Sequence, residues 1–210
     1  MTPTRLTAAD IVAPGVPQDR RDDYRRLGYV SDMTVSSSVE RAARLWGSRP
    51  AVAQADVKMT HRELLAVVER AAAWLSGAGI RPGDIVCWQT PNWWEAHLLG
   101  LAIWHVGAVS TPLAPFYREH ELRQVIEEVR PAAVISVESF RGFAHAEAFD
   151  DLLAEAGLAE IPRILLRGSR CGWTSFDAVV CHPRRSPSAD TGADDPCLVL
   201  FTSGTTSRAK

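Results

Sequence analysis

The residues best suited to chemistry lie at the end of the sequence. An apolar run, Cys197–Phe201, is followed at once by a polar segment, residues 202–210. The run contains β-branched and aromatic residues, which is typical of a buried strand in a parallel sheet. A turn rich in amide and hydroxyl donors after such a strand can bind phosphate oxygens, and a lysine adds positive charge. The candidate phosphate ligands are Thr202, Ser203, Gly204, Thr205, Thr206 and Lys210.

This polar segment is not a Walker A loop, which needs a glycine directly before the lysine and a Ser or Thr after it. Ala209 precedes Lys210, and no residue follows. A solvated turn is the alternative interpretation, since Ser, Thr and Gly are common turn residues. The sequence has no H-E-x-x-H, G-x-S-x-G or G-x-G-x-x-G motif. His97 and His105 share a predicted helix, where we expect core or rim positions rather than ligands.

Helices and strands alternate from Thr34 onward, which predicts right-handed βαβ units and an α/β fold with a mostly parallel sheet. Thr60 and Glu63 form a capping-box pattern at the start of one predicted helix, and Pro131 ends another. Asn92 is the expected N-cap of an almost wholly apolar helix. Ligands bind beyond the carboxyl ends of strands in such sheets, where residues 202–210 would lie. Periodicity and turn signals predict helices over 18–27, 34–46, 61–75, 93–106, 119–129 and 149–156, and strands over 51–54, 57–59, 85–88, 108–111, 132–137, 164–166 and 197–201.

Composition excludes several classes of protein. The 210 residues are 46% hydrophobic with a formal net charge of −2, so nothing favours nucleic-acid binding. The four cysteines are scattered, and Cys87 and Cys197 lie in apolar runs where we expect small buried hydrophobes. Their pattern suggests a reducing cytoplasm. The N-terminus has no apolar segment typical of a signal peptide, and the most apolar window, Leu98–Val109, is too short to span a bilayer.

The polar segment resembles the phosphate-binding signature of the adenylate-forming (AMP-binding) superfamily, which includes acyl-CoA synthetases, luciferases and peptide-synthetase adenylation domains. That signature reads aromatic-Thr-Ser-Gly-Ser/Thr-Thr-Gly-x-Pro-Lys-Gly. Phe201–Thr206 and Lys210 match it in register. Ser207 replaces the usual glycine and Ala209 the usual proline, so the loop differs in backbone flexibility but loses no donor.

Upstream segments extend the resemblance over residues 34–210. They include Met59–Leu64, the Gly-Asp turn in Gly79–Val86, and the helix-to-strand step Trp104–Pro112. The segment Pro112–Leu122 is similar to the short- and medium-chain acyl-CoA ligases, including cyclohexanecarboxylate-type ligases. We therefore expect an irregular lead-in with a short charged helix over 1–33, and a partial N-terminal AMP-binding domain over 34–210.

The resemblance implies ATP-dependent activation of a carboxylic acid. In this superfamily the carboxylate attacks the α-phosphorus of ATP, pyrophosphate leaves, and CoA then displaces AMP from the acyl-adenylate. Thr202, Ser203, Gly204, Thr205 and Thr206 would bind the β- and γ-phosphates, and Lys210 would act catalytically by neutralising the leaving pyrophosphate. The implied cofactors are ATP, Mg²⁺ and CoA, and the implied partners are small molecules. The branch suggests an aliphatic or alicyclic acid, of the kind met in fatty acid metabolism.

Members of this family are longer than 210 residues, so the resemblance identifies an N-terminal part. The Tyr-Gly-x-Thr-Glu motif, the ribose-binding aspartate and the C-terminal catalytic lysine would come later, and we expect no ligase activity from the chain alone. In a chain that ends on Lys210, the free C-terminal carboxylate would lie beside the proposed phosphate loop and would weaken anion binding. The alternative is a non-catalytic remnant that acts as an interaction module, with apolar surface exposed where the rest of the domain would pack. An unrelated phosphate-binding α/β protein such as a small kinase is disfavoured, because the Walker loop is missing.

Overall fold

A computed structural model describes residue 7 and residues 16–201 of the chain, which form seven helices and seven strands. The helices are α1 (Gln18–Arg26), α2 (Val35–Trp46), α3 (His61–Gly77), α4 (Trp94–His105), α5 (Glu119–Val129), α6 (His145–Glu155) and α7 (Phe176–Val180). The strands are β1 (Pro50–Gln54), β2 (Val57–Thr60), β3 (Ile85–Gln89), β4 (Val109–Pro112), β5 (Ala133–Val137), β6 (Arg163–Leu166) and β7 (Thr174–Ser175).

Five of the strands form one parallel sheet in the order β4-β3-β5-β6-β7. The predicted α/β fold with a parallel sheet is therefore confirmed. β1 and β2, both predicted as strands, form a separate antiparallel hairpin. Because β3 lies between β4 and β5, the chain adds one strand on one side of β3 and then continues the sheet on the other side.

Helices cover both faces of the sheet, which gives two hydrophobic cores. Alternate side chains such as Val86 and Ile135 face a core built with α3, α4 and α7, called here the α3/α4 core. Cys87 and Val134 point the opposite way, into a core built with α5 and α6, called here the α5/α6 core. Burial of both faces is why the central strands read as continuous apolar runs instead of alternating patterns.

Local signals set the starts of α2 and α3 but not the start of α4. Thr60 and Glu63 form the predicted capping box of α3, and the two hydrogen bonds from Thr60 lower the pKa of the Glu63 carboxyl. Thr34 caps α2. The predicted Asn92 cap of α4 is wrong, since α4 begins at Trp94. The Trp94 amide instead donates to the Gln54 side chain at 3.0 Å, so a residue distant in sequence performs the capping.

Two parts of the chain differ from the predicted elements. α6 begins at His145, before the predicted start at Phe149, because His145 and Ala146 are already buried. The sequence prediction also missed β7 and α7, which are two and five residues long. Elements this short do not show a periodic pattern. Within the described residues, no helix has both the length and the apolar character needed to cross a membrane.

Candidate functional site

The segment that leads to the candidate phosphate ligands runs beside β4. Leu198 pairs with Ser110 in a parallel bridge. The Ser110 amide donates to the Cys197 carbonyl at 2.9 Å, and the Val199 amide donates to the Ser110 carbonyl at 3.0 Å. The segment therefore extends the sheet at the outer edge of β4 and heads toward its carboxyl edge. Thr202, Ser203, Gly204, Thr205, Thr206 and Lys210 lie outside the described residues.

The predicted burial of this segment is wrong. Cys197 is exposed, and the exposed fractions of Leu198 and Leu200 are 42% and 60%. Val199 and Phe201 alternate with them and pack against the α5/α6 core. Within the described chain, only the face of the segment that carries Val199 and Phe201 is covered. An apolar run in the sequence does not indicate whether other elements cover one of its faces or both. Pairing is likewise limited to the single bridge at Leu198.

A tryptophan from α4 holds the start of this segment. The Trp104 indole Nε1–H donates to the Cys197 carbonyl across 2.6 Å. That carbonyl also accepts the Ser110 amide. Two donors from neighbouring elements therefore fix the point at which the chain joins the edge of β4.

Gln89, the last residue of β3, holds the loop that follows β4, residues 113–118. The Gln89 side chain is fully buried. Its Nε2 donates to the carbonyls of Ala114 at 2.8 Å and Tyr117 at 3.0 Å. The Ser136 hydroxyl of β5 donates to the Gln89 carbonyl at 3.1 Å. One residue therefore ties the ends of three adjacent strands together.

The same glutamine contacts His145, the first residue of α6. His145 is 1% exposed, and its Nδ1 lies 2.8 Å from Gln89 Oε1. Within the described chain, His145 Nε2 has no hydrogen-bond partner. Burial, together with the nearby positive charge of Arg118, lowers the pKa of His145, although the Phe140 carbonyl acts in the opposite direction. The surroundings of the ring therefore favour the neutral imidazole over the charged one.

Arg118 brings a positive charge to this edge of the sheet. Its guanidinium lies 4.6 Å from the centre of the Phe143 ring, and it donates to the carbonyls of Pro115 and Tyr117. The Phe143 ring also meets the His145 ring edge-on at 4.9 Å. The contact between Arg118 and Phe143 thus joins the loops after β4 and β5 beside His145.

A second charged contact closes the end of β6. Arg167 forms a two-bond ion pair with Glu95, with distances of 2.6 and 3.2 Å, and its guanidinium lies 3.8 Å over the Trp93 ring. Glu95 is 5% exposed. A buried carboxylate is tolerated when it is paired in this geometry. The pair joins β6 to the start of α4, and its charges already satisfy each other, so it is a weak candidate for binding an anion.

A separate hollow lies at the other end of β4, near its amino end. Its volume is about 150 Å³, and Thr34, Trp104, Gly107, Thr191 and Cys197 contribute to its lining. It is therefore separate from the carboxyl edge, where a nucleotide would be expected. We do not assign it to the candidate site.

The two histidines of α4 have different surroundings. His97 is exposed, whereas His105 is buried with its Nε2 3.0 Å from the Ser186 carbonyl. Among the residues that the structure describes, no group of three or more His, Cys, Asp or Glu side chains could hold a metal ion.

Sequence reasoning missed Gln89 and His145. The available signal was weak: Gln89 is a polar residue at the end of an apolar strand, and His145 was expected in the loop before a helix. Neither belongs to a recognised motif. Their contact joins positions 56 residues apart in sequence, which the sequence pattern does not reveal.

Comparison with known proteins gives a family match. The model of the AMP-binding enzyme family matches residues 39–210. A propanoyl:CoA ligase from Rhodococcus jostii, whose substrate carries a methyl-dioxo-octahydroindenyl group, is 30% identical over 187 residues, covering 84% of this chain and 36% of that protein. The salicyl-AMP ligase/salicyl-S-ArCP synthetase of Mycobacterium tuberculosis is 30% identical over 202 residues, covering 92% and 35%.

Solved structures show the same relationship. The apo structure of MbtA from Mycobacterium smegmatis superimposes with a TM-score of 0.83 at 29% identity, covering 93% of this chain and 36% of that one. The anthranilate CoA ligase AuaEII shares the fold with a TM-score of 0.77 at 19% identity, covering 87% and 35%. The chain thus spans about a third of the length of the relatives it matches.

Proposed function

The chain belongs to the AMP-binding enzyme family, and we propose that it serves in the ATP-dependent activation of a carboxylic acid. The main support is the position of Cys197–Phe201, which runs parallel to β4 and heads toward the carboxyl edge of the sheet. The family signature, residues 201–206 and 210, follows directly. Placing a loop rich in donors at that edge is how open α/β sheets bind phosphate groups.

In the proposed reaction, an anionic carboxylate approaches a polyanionic triphosphate, so charge is the main obstacle. Hydroxyls and amides of Thr202, Ser203, Thr205 and Thr206 would bind the β- and γ-phosphates, and Gly204 would let the backbone approach closely. Lys210 would stabilise the pyrophosphate as it leaves. Mg²⁺ would supply additional neutralisation of the phosphate oxygens. These donor types suit a phosphate ligand.

Transfer of the acyl group to CoA is the second proposed step, and the names of several relatives support it. They include CoA ligases for an alicyclic propanoate and for medium-chain fatty acids. We propose an aliphatic or alicyclic acid as the substrate class for this chain, in the cytoplasm. A salicyl-AMP ligase among the relatives makes an aryl acid the substrate to test beside it.

Lysine labelling tests the proposed phosphate site directly, since the sequence has two lysines, Lys58 on β2 and Lys210. The purified chain is treated with a lysine-reactive ester with and without Mg·ATP, and modification is measured by mass spectrometry. Mg·ATP is expected to protect Lys210 and leave Lys58 unchanged. Equal modification of Lys210 with and without nucleotide would contradict the proposed site. Inorganic sulfate serves as the control for protection by any anion.

Catalysis by the 210 residues alone is a separate matter. We expect no ATP–pyrophosphate exchange from the purified chain with hexanoate, cyclohexanecarboxylate or salicylate as the acid. The family's other expected site residues are absent from this sequence. Measurable exchange would show that residues 1–210 suffice for adenylation, and would overturn this expectation.

A second candidate function is a non-catalytic interaction module, favoured by the exposure of Leu198 and Leu200 on the uncovered face of the last segment. An edge with unpaired backbone groups and apolar side chains readily pairs with another chain. If this candidate holds, light scattering should detect self-association that Leu200→Lys reduces, while Leu45→Lys, a change at an exposed leucine on α2, leaves it intact. A monomer at high concentration would count against it.

A further inference from the structure

The end of β3 is the place where an open α/β sheet of this topology forms its ligand-binding crevice. Such crevices form at carboxyl ends where adjacent strands send their connections to opposite faces. β3 continues into α4, which packs in the α3/α4 core, whereas β4 and β5 continue into α5 and α6 in the α5/α6 core. Gln89, at the end of β3, lies at this junction and is fully buried.

The hydrogen bonds of Gln89 fix the orientation of its amide group. Both N–H bonds are used by carbonyls, those of Ala114 and Tyr117. Oε1 must therefore be the atom that faces His145 Nδ1, at 2.8 Å. Since Oε1 can only accept, Nδ1 must donate. The neutral imidazole is then the Nδ1–H tautomer, and its Nε2 is a bare, buried acceptor.

We infer that Gln89 and His145 are positioning residues for the proposed nucleotide site, an inference that rests on the proposed function. Together they fasten the loop after β4, residues 113–118, to the start of α6, which follows the loop after β5, residues 138–144. Phe201 packs against the same α5/α6 core as Leu113 and Tyr117. The glutamine–histidine pair therefore fixes the loops at the carboxyl edge toward which Cys197–Phe201 runs.

Protonation would work against this arrangement. A second proton on His145 would place a buried positive charge near Arg118, which already lowers the pKa of the imidazole. The other groups known to face the ring are uncharged: the Gln89 amide, the Phe140 carbonyl and the Phe143 ring. The neutral Nδ1–H form is therefore the one that holds the loops.

The tautomer can be measured in the unmodified 210-residue protein, with no variant and no nucleotide. Long-range ¹H–¹⁵N spectra at pH 7.5 are expected to show His145 protonated at Nδ1 and bare at Nε2. Exposed histidines such as His97 should show the opposite preference common in free imidazole. An Nε2–H tautomer would overturn the inference, because a bare Nδ1 would have to accept from the Gln89 amide N–H and would turn that amide away from the carbonyls of the loop. A doubly protonated His145 would contradict the neutral form from which the loops are argued to be held.

Two glutamine variants test the positioning role. Gln89→Leu removes both hydrogen bonds to loop 113–118, and amide exchange in loops 113–118 and 138–144 is expected to rise about tenfold or more, since the bonds that hold the loop are lost. Gln54→Leu is the matched control, because Gln54 bridges the Asn92 carbonyl and the Trp94 amide. It should loosen residues 92–94 only. Equal exchange in loops 113–118 and 138–144 for the two variants would refute the inference. If Gln89→Leu does not fold, Gln89→Met is used in the same comparison.

The link to nucleotide binding is tested by the same lysine labelling. Gln89→Leu should weaken protection of Lys210 by Mg·ATP at least fivefold in ATP concentration, and Gln54→Leu should leave it unchanged. Protection that survives unchanged in Gln89→Leu would refute the link. If Mg·ATP does not protect Lys210 in the wild-type protein, the proposed function fails. The claim that Gln89 and His145 hold the two loops is then decided separately, by the His145 tautomer and by the amide exchange rates of the Gln89 and Gln54 variants.

Discussion

Two five-residue segments, β5 (Ala133–Val137) and Cys197–Phe201, are similarly apolar in sequence but differ in their surroundings. Every residue of β5 is buried, and the strand pairs with β3 on one side and β6 on the other. Cys197–Phe201 has one bridge to β4, and its leucines are exposed. Burial of an apolar segment thus depends on how many neighbours cover it, and the segment leading to the candidate site is covered on one face only.

The difference should be largest in the reactivity of two cysteines, one in each environment. Cys87 lies in the interior strand β3, beside β5, and is fully buried, and burial raises the pKa of its thiol well above the usual range. Cys197 is exposed. With a thiol reagent at pH 8, we expect Cys197 to react at least about a thousandfold faster, because Cys87 becomes accessible only when the core opens.

Cys171 and Cys181 are exposed as well and serve as internal references for the rate of Cys197. Peptide mapping after labelling separates the four sites. Fast modification of Cys87 in the folded protein would mean that the central sheet opens readily, and the contrast between the two segments would be lost.

Truncating one residue in each segment compares their contributions to stability. Ile135 in β5 is 1% exposed, and Ile135→Ala should lower the free energy of unfolding by about 3 kcal/mol through lost burial and a cavity. Leu200 is 60% exposed, and Leu200→Ala should change it by less than about 0.5 kcal/mol. Urea denaturation measures both. Similar losses from the two variants would show that Leu200 is covered in solution.

The attachment of the last segment can be weakened without touching the central sheet. Trp104→Phe removes the Nε1–H that binds the Cys197 carbonyl and should cost about 1 kcal/mol. Hydrogen exchange of the Val199 amide, which donates to the Ser110 carbonyl, should become faster by the factor that corresponds to this free energy. Trp173→Phe is the matched control, since it removes an indole bond to Asp150, in the α6 region. It should leave Val199 unaffected, and a rise in both variants would point to general destabilisation.

The smallest expected effect is a pH dependence that originates at the end of the central strands. Because the pKa of His145 is lower in the folded protein, the unfolded chain binds more protons once the pH falls below about 6.5. The stability contribution of neutral His145 is therefore fully present above that pH and declines as the pH drops toward the folded pKa. Denaturation curves from pH 7.5 to 5 should show this decline.

His145→Gln should flatten the decline between pH 7 and 5. The carboxyl groups with lowered pKa values, Glu63, Glu121 and Asp194, act at lower pH and are common to both proteins. The difference between wild type and variant therefore isolates the histidine. An unchanged slope would mean that His145 has the same pKa in the folded and unfolded chains.

The sequence by itself determined the elements whose signals are local. The capping pair Thr60 and Glu63 marked the start of α3, and Pro131 marked the end of α5, because these signals act within one turn of the chain. The alternation of helices and strands predicted the parallel sheet. The match of residues 201–206 and 210 predicted the family, because the loop's chemistry is carried by residue types at fixed spacing.

Tertiary structure alone decided the surroundings of those elements. Cys197–Phe201 and β5 are both apolar runs, but the described chain covers one face of the first segment and both faces of the second. The contact between Gln89 and His145 depends on how β3 and β5 pair, so no local pattern reveals it. Local propensity acts over a few residues, whereas burial and long-range hydrogen bonds depend on which distant segments the fold brings together.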